Sequence, residues 1–370
     1  MNTEKEKRSI LANDGVQSFL TALLCIVIGL FVGFIVLLII SPQGAWEGII
    51  TILKNYFTYP SGPAKMKYFG NTLVKMAPLL LCALSIQFCY KAGLFNIGAA
   101  GQYVAGAGAS LYGALALGLP WYVDVILAIV AGMVFGGIVG ILKAYANVNE
   151  VISGIMLNWI GLYTVNMLLT GVKETASPYT VTLASTNESA LLPNMGLDKL
   201  FTNNKYVTIA IPLAIIVAIV IQIILKKTVF GYELQATGYN KDAAKYSGMK
   251  EKKNIILTLM IGGALAGLGA SFLYLTGYEQ WSVTQSSVPV MGFNGIAATF
   301  LGGLDPIGTI FASYFIQHIT SGGSYLDKAV YPSQVSDLIS AIIIYLCGFV
   351  LFFKTVFNKR LNAKKGGEKA

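Results

Sequence analysis

The side chains best suited to chemistry in this chain are amides placed where apolar runs begin or break. LFNIGAAGQ, Leu94 to Gln102, sets Asn96 and Gln102 among glycines and alanines at the start of one run. NEVISGIMLN, Asn149 to Asn158, opens the next, and Asn294 sits in a later FNGIA stretch. Amides can hydrogen-bond a neutral polar molecule without the desolvation cost of a charge. Phe95, Trp159 and Phe293 stand beside them and offer flat faces. A structural reading competes. Asn149 as an N-cap and Glu150 at a positive helix terminus are fully explained by helix geometry, and Gln102 bonded to a neighbour would explain the first motif equally well. Asn158 is about two turns into its run, where an amide must face other protein rather than lipid.

Charged chemistry is sparse. Lys75, Asp124, Glu279, Asp305 and Asp337 all fall near the ends or breaks of apolar runs, which argues against ion or proton coupling along a membrane path. His318, the single histidine, is expected to be a packed residue. Cys25, Cys82, Cys89 and Cys347 all lie in apolar runs, and Cys82 and Cys89 are about 10 Å apart along a helix, too far to share an ion. No metal or cofactor is expected. No Gly-rich loop ending in Gly-Lys-Ser or Gly-Lys-Thr is present, so this chain is not expected to hydrolyse ATP itself. A membrane-embedded enzyme finds no nucleophile or acid-base pair here.

The elements that must position these groups are membrane helices. Of 370 residues, 55% are hydrophobic and 12% charged, a membrane composition. Runs of spanning length occur at Gln17 to Ile40, Asn71 to Tyr90, Phe95 to Leu117, Val123 to Lys143, Val151 to Gly171, Tyr206 to Leu225, Asn254 to Thr276 and Gln334 to Phe353. Two shorter pieces, Val288 to Leu304 and Ile307 to Thr320, are split by Gly302, Gly303, Asp305 and Pro306. The expected fold is an all-α polytopic membrane protein of about ten transmembrane segments, the split pair being either two crossings or a re-entrant hairpin. The first run is too long for a signal peptide and reads as a retained helix.

The net charge of +9 suggests nucleic acid until its distribution is read. With a cytoplasmic N-terminus, roughly 18 of the 26 Lys and Arg fall on the inner side, as the positive-inside rule requires. The division is then a cytoplasmic tail over 1–16, a transmembrane domain over 17–354 and a second cytoplasmic tail over 355–370. The segment Ser41 to Gly70, with Trp46, Tyr56, Tyr59 and several prolines, is expected to lie along the outer interface, and Lys173 to Lys205 forms the largest outer loop.

One long basic interval, Lys226 to Lys253, interrupts the apolar sequence. Asn240 can cap a short helix over Lys241, Asp242, Ala243, Ala244 and on to Ser247, with Gly248 supplying the left-handed turn that ends it. Between flexible connectors, with Phe230, Tyr232 and Leu234 at headgroup level, such a rod with a small Ala243-Ala244 surface would suit a groove on a partner protein. Stripes of small residues at four-residue spacing, Gly132-Gly136-Gly140, Gly101-Ala105-Ala109-Gly113 and Gly262-Ala266-Ala270, are expected to let helices pack closely. FNIGA at 95–99 and FNGIA at 293–297 echo each other, as paired broken helices do in transporters.

Four motifs in order, LFNIGAAGQ, NEVISGIMLN, GYNKDAAKYSGM and GFNGIAATFLGGLDPIG, resemble the permease subunits of ATP-binding-cassette importers for ribose-type sugars and nucleosides, over roughly Tyr68 to Phe357. NEVISGIMLN and the extra first helix are most similar to the nucleoside branch. The resemblance implies a bacterial cell-membrane permease with both termini inside. It also implies a second homologous permease forming a heterodimer, a cytoplasmic ATPase subunit, an extracytoplasmic solute-binding lipoprotein and a nucleoside as solute. A pentose-type sugar permease, or an ion-coupled secondary transporter, is the alternative. The resemblance further implies that the rod bounded by Gly238 and Gly248 docks in a cleft of the ATPase. The family usually carries a more basic residue where Tyr232 stands.

Overall fold

The computed structural model describes residues 14–331 and, beyond them, 338–339, 341–342, 345–346, 349, 352–353 and 355–356. Among the described residues the structure is helical, with isolated bridges pairing Lys173 with Thr180 and Tyr179 with Ser282. The long helices are α1 (Asp14–Ile40), α3 (Gly62–Lys91), α5 (Trp121–Ala146), α6 (Glu150–Leu169), α9 (Ala210–Lys227) and α12 (Glu251–Tyr274), and these six are long and apolar enough to cross a membrane. Interspersed are α2 (Ala45–Lys54), α4 (Ala99–Leu115), the one-turn α7 (Leu183–Thr186) and α8 (Leu197–Leu200), α10 (Val229–Tyr239), α11 (Lys241–Tyr246), α13 (Met291–Leu301) and α14 (Pro306–Gly323).

Ten crossings were expected, and the difference from six has identifiable sources. The helix in the Phe95 to Leu117 run begins only at Ala99 and has 17 residues. The Val288 to Leu304 run yields the 11-residue α13, and the 18-residue α14 carries Thr309, Ser313, Gln317 and His318. The last expected span and both expected tails, with Cys347, fall largely outside the described residues.

The chain divides into two compact units. One comprises 1–55, 300–304 and the chain from His318 onward. Within it α2 turns Ala45, Gly48, Ile49 and Ile52 inward and leaves Trp46 and Leu53 exposed, an amphipathic arrangement suited to an interface. The Tyr331 hydroxyl donates to the Ser41 carbonyl at 3.1 Å, and the Asn55 amide donates to the His318 carbonyl at 2.7 Å. His318 Nε2 lies 2.9 Å from the Leu53 carbonyl, the packed position expected of it.

The second unit, 56–299 with 305–317, holds the main bundle. α3 is almost wholly buried from Val74 to Cys89 and forms its axis. α5 shows how sequence sorts faces: Tyr122, Ile126, Val130, Val134, Ile138 and Tyr145 are exposed along one side, and Ala128, Gly132, Gly136 and Gly140 are buried on the other. Tyr122 and Tyr145 are about 34 Å apart along the axis, close to the roughly 30 Å of a bilayer core flanked by aromatic belts. The buried stripe meets α12 backbone to backbone: a Cβ at Gly132 or Gly136 would collide with the carbonyls of Gly263 and Leu259. The partner face on α12 is therefore Leu259-Gly263-Gly267. Gly262 instead faces Cys89, Asn96 and Ser85, and Ala266 and Ala270 belong to the core around Cys82, Ile86 and Tyr103.

Candidate coupling and pathway sites

The basic interval is a helical bracket. Thr228 caps α10 by accepting from the Gly231 N–H at 3.0 Å, and Asn240 caps α11 by accepting from the Ala243 N–H at 2.9 Å. Gly248, at φ +85°, ends α11 in the left-handed region, as the sequence led one to expect. The upstream connector is not flexible. α10 occupies it, with Leu234 fully buried and Tyr232 exposed, because the Gln235 amide donates to the Leu225 carbonyl at 2.8 Å and so satisfies one of the last free carbonyls of α9. The Thr237 hydroxyl accepts from the Asn254 amide of α12 at 3.1 Å.

Gly238 completes the bracket. A Cβ there would stand 2.5 Å from the Ala92 carbonyl carbon and 2.6 Å from the Gly93 nitrogen, so α10 lies directly on the turn that ends α3. That turn is itself left-handed, with Gly93 at φ +72°. Gly238 is thus a contact residue rather than a hinge. The expected Ala243-Ala244 surface is also divided: Ala244 is 4% exposed and turned into the protein, whereas Lys241, Asp242, Ala243, Lys245 and Ser247 face out. The largest outward groups are Tyr246, 93% exposed, and Tyr239, 90% exposed.

The amide motifs converge inside the bundle. Asn96 donates to Ser85 Oγ at 3.0 Å and to Gln102 Oε1 at 2.8 Å, and Gln102 donates back to Asn96 Oδ1 at 3.1 Å. α4 starts at Ala99 without a side-chain cap from Gly98, yet its Gly101 N–H is satisfied by Asn158 Oδ1 at 2.7 Å. Asn158 in turn donates to the Ile97 carbonyl at 3.1 Å. One residue of α6 therefore caps α4 from a neighbouring helix. Ser85 lies six residues from the end of α3, about 9 Å along its axis, so this start is set well inside the bundle.

The two echoing motifs also meet. A Cβ on Gly292 would stand 2.5 Å from the Ala100 Cα, Gly295 packs on Cys82 and Ala83, and the Thr299 hydroxyl donates to the Ala83 carbonyl at 2.8 Å. Asn96, Gln102 and Asn158 are all buried; Asn294 and Phe95 are half-buried, Phe293 is exposed, and Trp159 is 44% exposed and stacks on Tyr163 at 6.2 Å. Sequence reasoning missed Ser85 and the backbone partners Gly101 and Ile97, for which no motif signals.

At the foot of α14, Asp305 caps the Ile307 and Gly308 N–H groups and accepts from Gln222 at 3.1 Å and Lys226 at 2.8 Å. Burial raises its carboxyl, but the hydrogen bonds from Lys226, Gln222 and Gly308 outweigh that and hold it below the ordinary carboxylate value.

Several known proteins are similar to this chain in sequence. The chain is 32% identical to the nucleoside ABC transporter permease protein NupB of Lactococcus lactis subsp. cremoris, over 97% of this chain and all of that protein. It is 32% identical to the guanosine ABC transporter permease protein NupP of Bacillus subtilis, over 92% of this chain and 96% of the other. It is also 30% identical to the glucose ABC transporter permease protein TsgB13 of Haloferax volcanii, over 77% and 78%. A family described as the branched-chain amino acid transport system, permease component, matches residues 68–348, and this chain, a multi-pass membrane protein, belongs to it.

Proposed function

We propose that this chain is the membrane-spanning subunit of an ABC importer that passes nucleosides, driven by ATP hydrolysed on a separate subunit. The observation that carries the coupling half is the bracket: α11 is capped, outward-facing and fixed through α10 to the ends of three spanning helices, α3, α9 and α12. A force applied to α11 by closure of an ATPase pair would reach all three without passing through a flexible loop. Gly238, Asn240, Lys241, Asp242, Ala243, Ser247 and Gly248 shape or present this element, and Ala244 anchors it from beneath. On this reading the bracket end is cytoplasmic, the crossings number ten, and both termini lie inside.

In the pathway, Phe293, Trp159, Asn294 and Phe95 present the faces and amide that meet solute, and Asn96, Gln102 and Asn158 hold the α4 start behind them. The other partners are a homologous second permease completing a heterodimer and an extracytoplasmic solute-binding lipoprotein. Aromatic faces beside amides suit a flat base with ribose hydroxyls. The glucose relative keeps a sugar solute as the second reading. Uptake in cells relying on this system separates them: labelled uridine, adenosine or guanosine should enter, their monophosphates should not. Competition by ribose or glucose with nucleosides inert would move the assignment to sugars.

A further inference from the structure

At the end of the bundle opposite the bracket, the loop between α6 and α9 and the chain leaving α12 line a half-open cavity of about 780 Å³. That volume is in the range of small-molecule sites, roughly 300 to 1,000 Å³. Its floor is apolar and buried, made by Leu111 and Tyr274. Its wall carries Tyr206 and Tyr278, whose rings meet edge to face at 5.2 Å. Lys75, which does not line the cavity, has its Nζ 5.3 Å from the Tyr278 centroid, and Lys205, which does, has its Nζ 5.3 Å from that of Tyr206. Lys75 also pairs with Glu279 at 3.0 Å, which fixes a carboxylate on the same wall.

The charged lining residues are Lys205, Glu188 and Glu279, and Lys75 from outside the lining offsets Glu279, so the site carries no excess of either sign. Burial keeps the Tyr278 phenol above its ordinary value, so it stays protonated and adds no charge to the wall. The Gln280 amide is occupied by Glu174 at 3.1 Å and the Thr180 carbonyl at 2.7 Å, which closes the rim rather than contributing to binding. What remains is a pair of aromatic faces set at right angles, a carboxylate for hydroxyls, and an apolar floor.

We propose that this cavity is a solute-holding site within a single permease subunit, taking a neutral molecule with a flat ring and hydroxyl groups, a nucleoside. It rests on the nucleoside reading above. The ring lies against Tyr206 or Tyr278 and the ribose hydroxyls reach Glu279. The site would hold solute at the mouth before it enters the pathway.

The test uses the intact permease complex in lipid nanodiscs without ATP, with tritiated guanosine for equilibrium binding and an azido-guanosine photoprobe for location. Label is expected on peptides covering 180–194, 205–206 or 274–280. Tyr278→Ala should weaken guanosine binding about 2- to 13-fold, the worth of one aromatic pair, Tyr206→Ala should act likewise, and Tyr278→Phe should bind within about twofold of the parent. Unchanged binding in both alanine variants, or label confined to other peptides, overturns the site. So does loss of association with the solute-binding protein while guanosine binding persists, which would make the cavity a protein-docking surface. Guanosine uptake is measured in parallel. Uptake without cavity labelling sinks this site alone, whereas absent uptake sinks the transport reading.

Discussion

Replacing Asn158 with leucine separates a structural amide from a solute-contacting one. The side chains are similar in size, so little cavity or overpacking follows. What is lost is the acceptor for the Gly101 N–H and the donor to the Ile97 carbonyl, at 2.7 and 3.1 Å. Gly101 is in the first turn of α4, where backbone N–H groups have no helical partner, and Gly98 offers no side-chain cap. Each buried backbone group left unpaired costs about 1 to 3 kcal/mol, so the change should cost about 2 to 6 kcal/mol. Interhelical hydrogen bonds in membranes average nearer 0.6 kcal/mol, because partners are found elsewhere. A residue that is 2% exposed at an uncapped start has few such partners, so the larger figure applies. The assay is the thermal midpoint of the purified complex alongside uptake kinetics for labelled guanosine. Asn158→Leu should lower the midpoint and the amount of assembled protein while leaving KM of the surviving transporter unchanged. Trp159→Leu, on the exposed neighbour, should do the reverse. A fully stable Asn158→Leu with a raised KM would refute the capping argument and return Asn158 to the pathway.

Gly238→Val should uncouple uptake from ATP hydrolysis, because its side chain would enter the Ala92-Gly93 backbone; overpacking of this kind costs about 1 to 3 kcal/mol. ATPase stimulation by loaded binding protein should fall even where the complex still assembles. Ala243→Arg, on the outward face of α11, should weaken co-purification of the ATPase, and normal co-purification would count against docking there. Asn240→Ala removes the α11 cap and should cost about 1 kcal/mol locally, read as faster amide exchange over 241–247. Asp305 is held below the ordinary value of about 3.9, so its ties to Lys226 and Gln222 are complete above that pH and lost as pH falls through its lowered value. The loss of thermal stability below about pH 4 should be shallower in Asp305→Asn, and an unchanged pH profile would remove Asp305 from the argument.

Much of this protein is determined locally and is therefore legible in the chain. Apolar length sets α1, α3, α5, α6, α9 and α12, and cap chemistry sets Asn149, Asn240 and Gly248, because a helix end needs partners within two or three residues. Only the tertiary structure decided what those local features touch. The stripe on α12 that receives α5 is Leu259-Gly263-Gly267 and not its neighbour one residue away, because helices packed on several sides are small on several faces and spacing cannot choose between them. Ala243 and Ala244 are alike in sequence and opposite in exposure, since α10 determines how α11 is turned. Asn158 is legible as an amide that must find a partner in the membrane, but its partners are backbone groups 57 and 61 residues away. Backbone groups are the same at every position, so no residue pattern marks them, and the folded arrangement alone brings them to the amide.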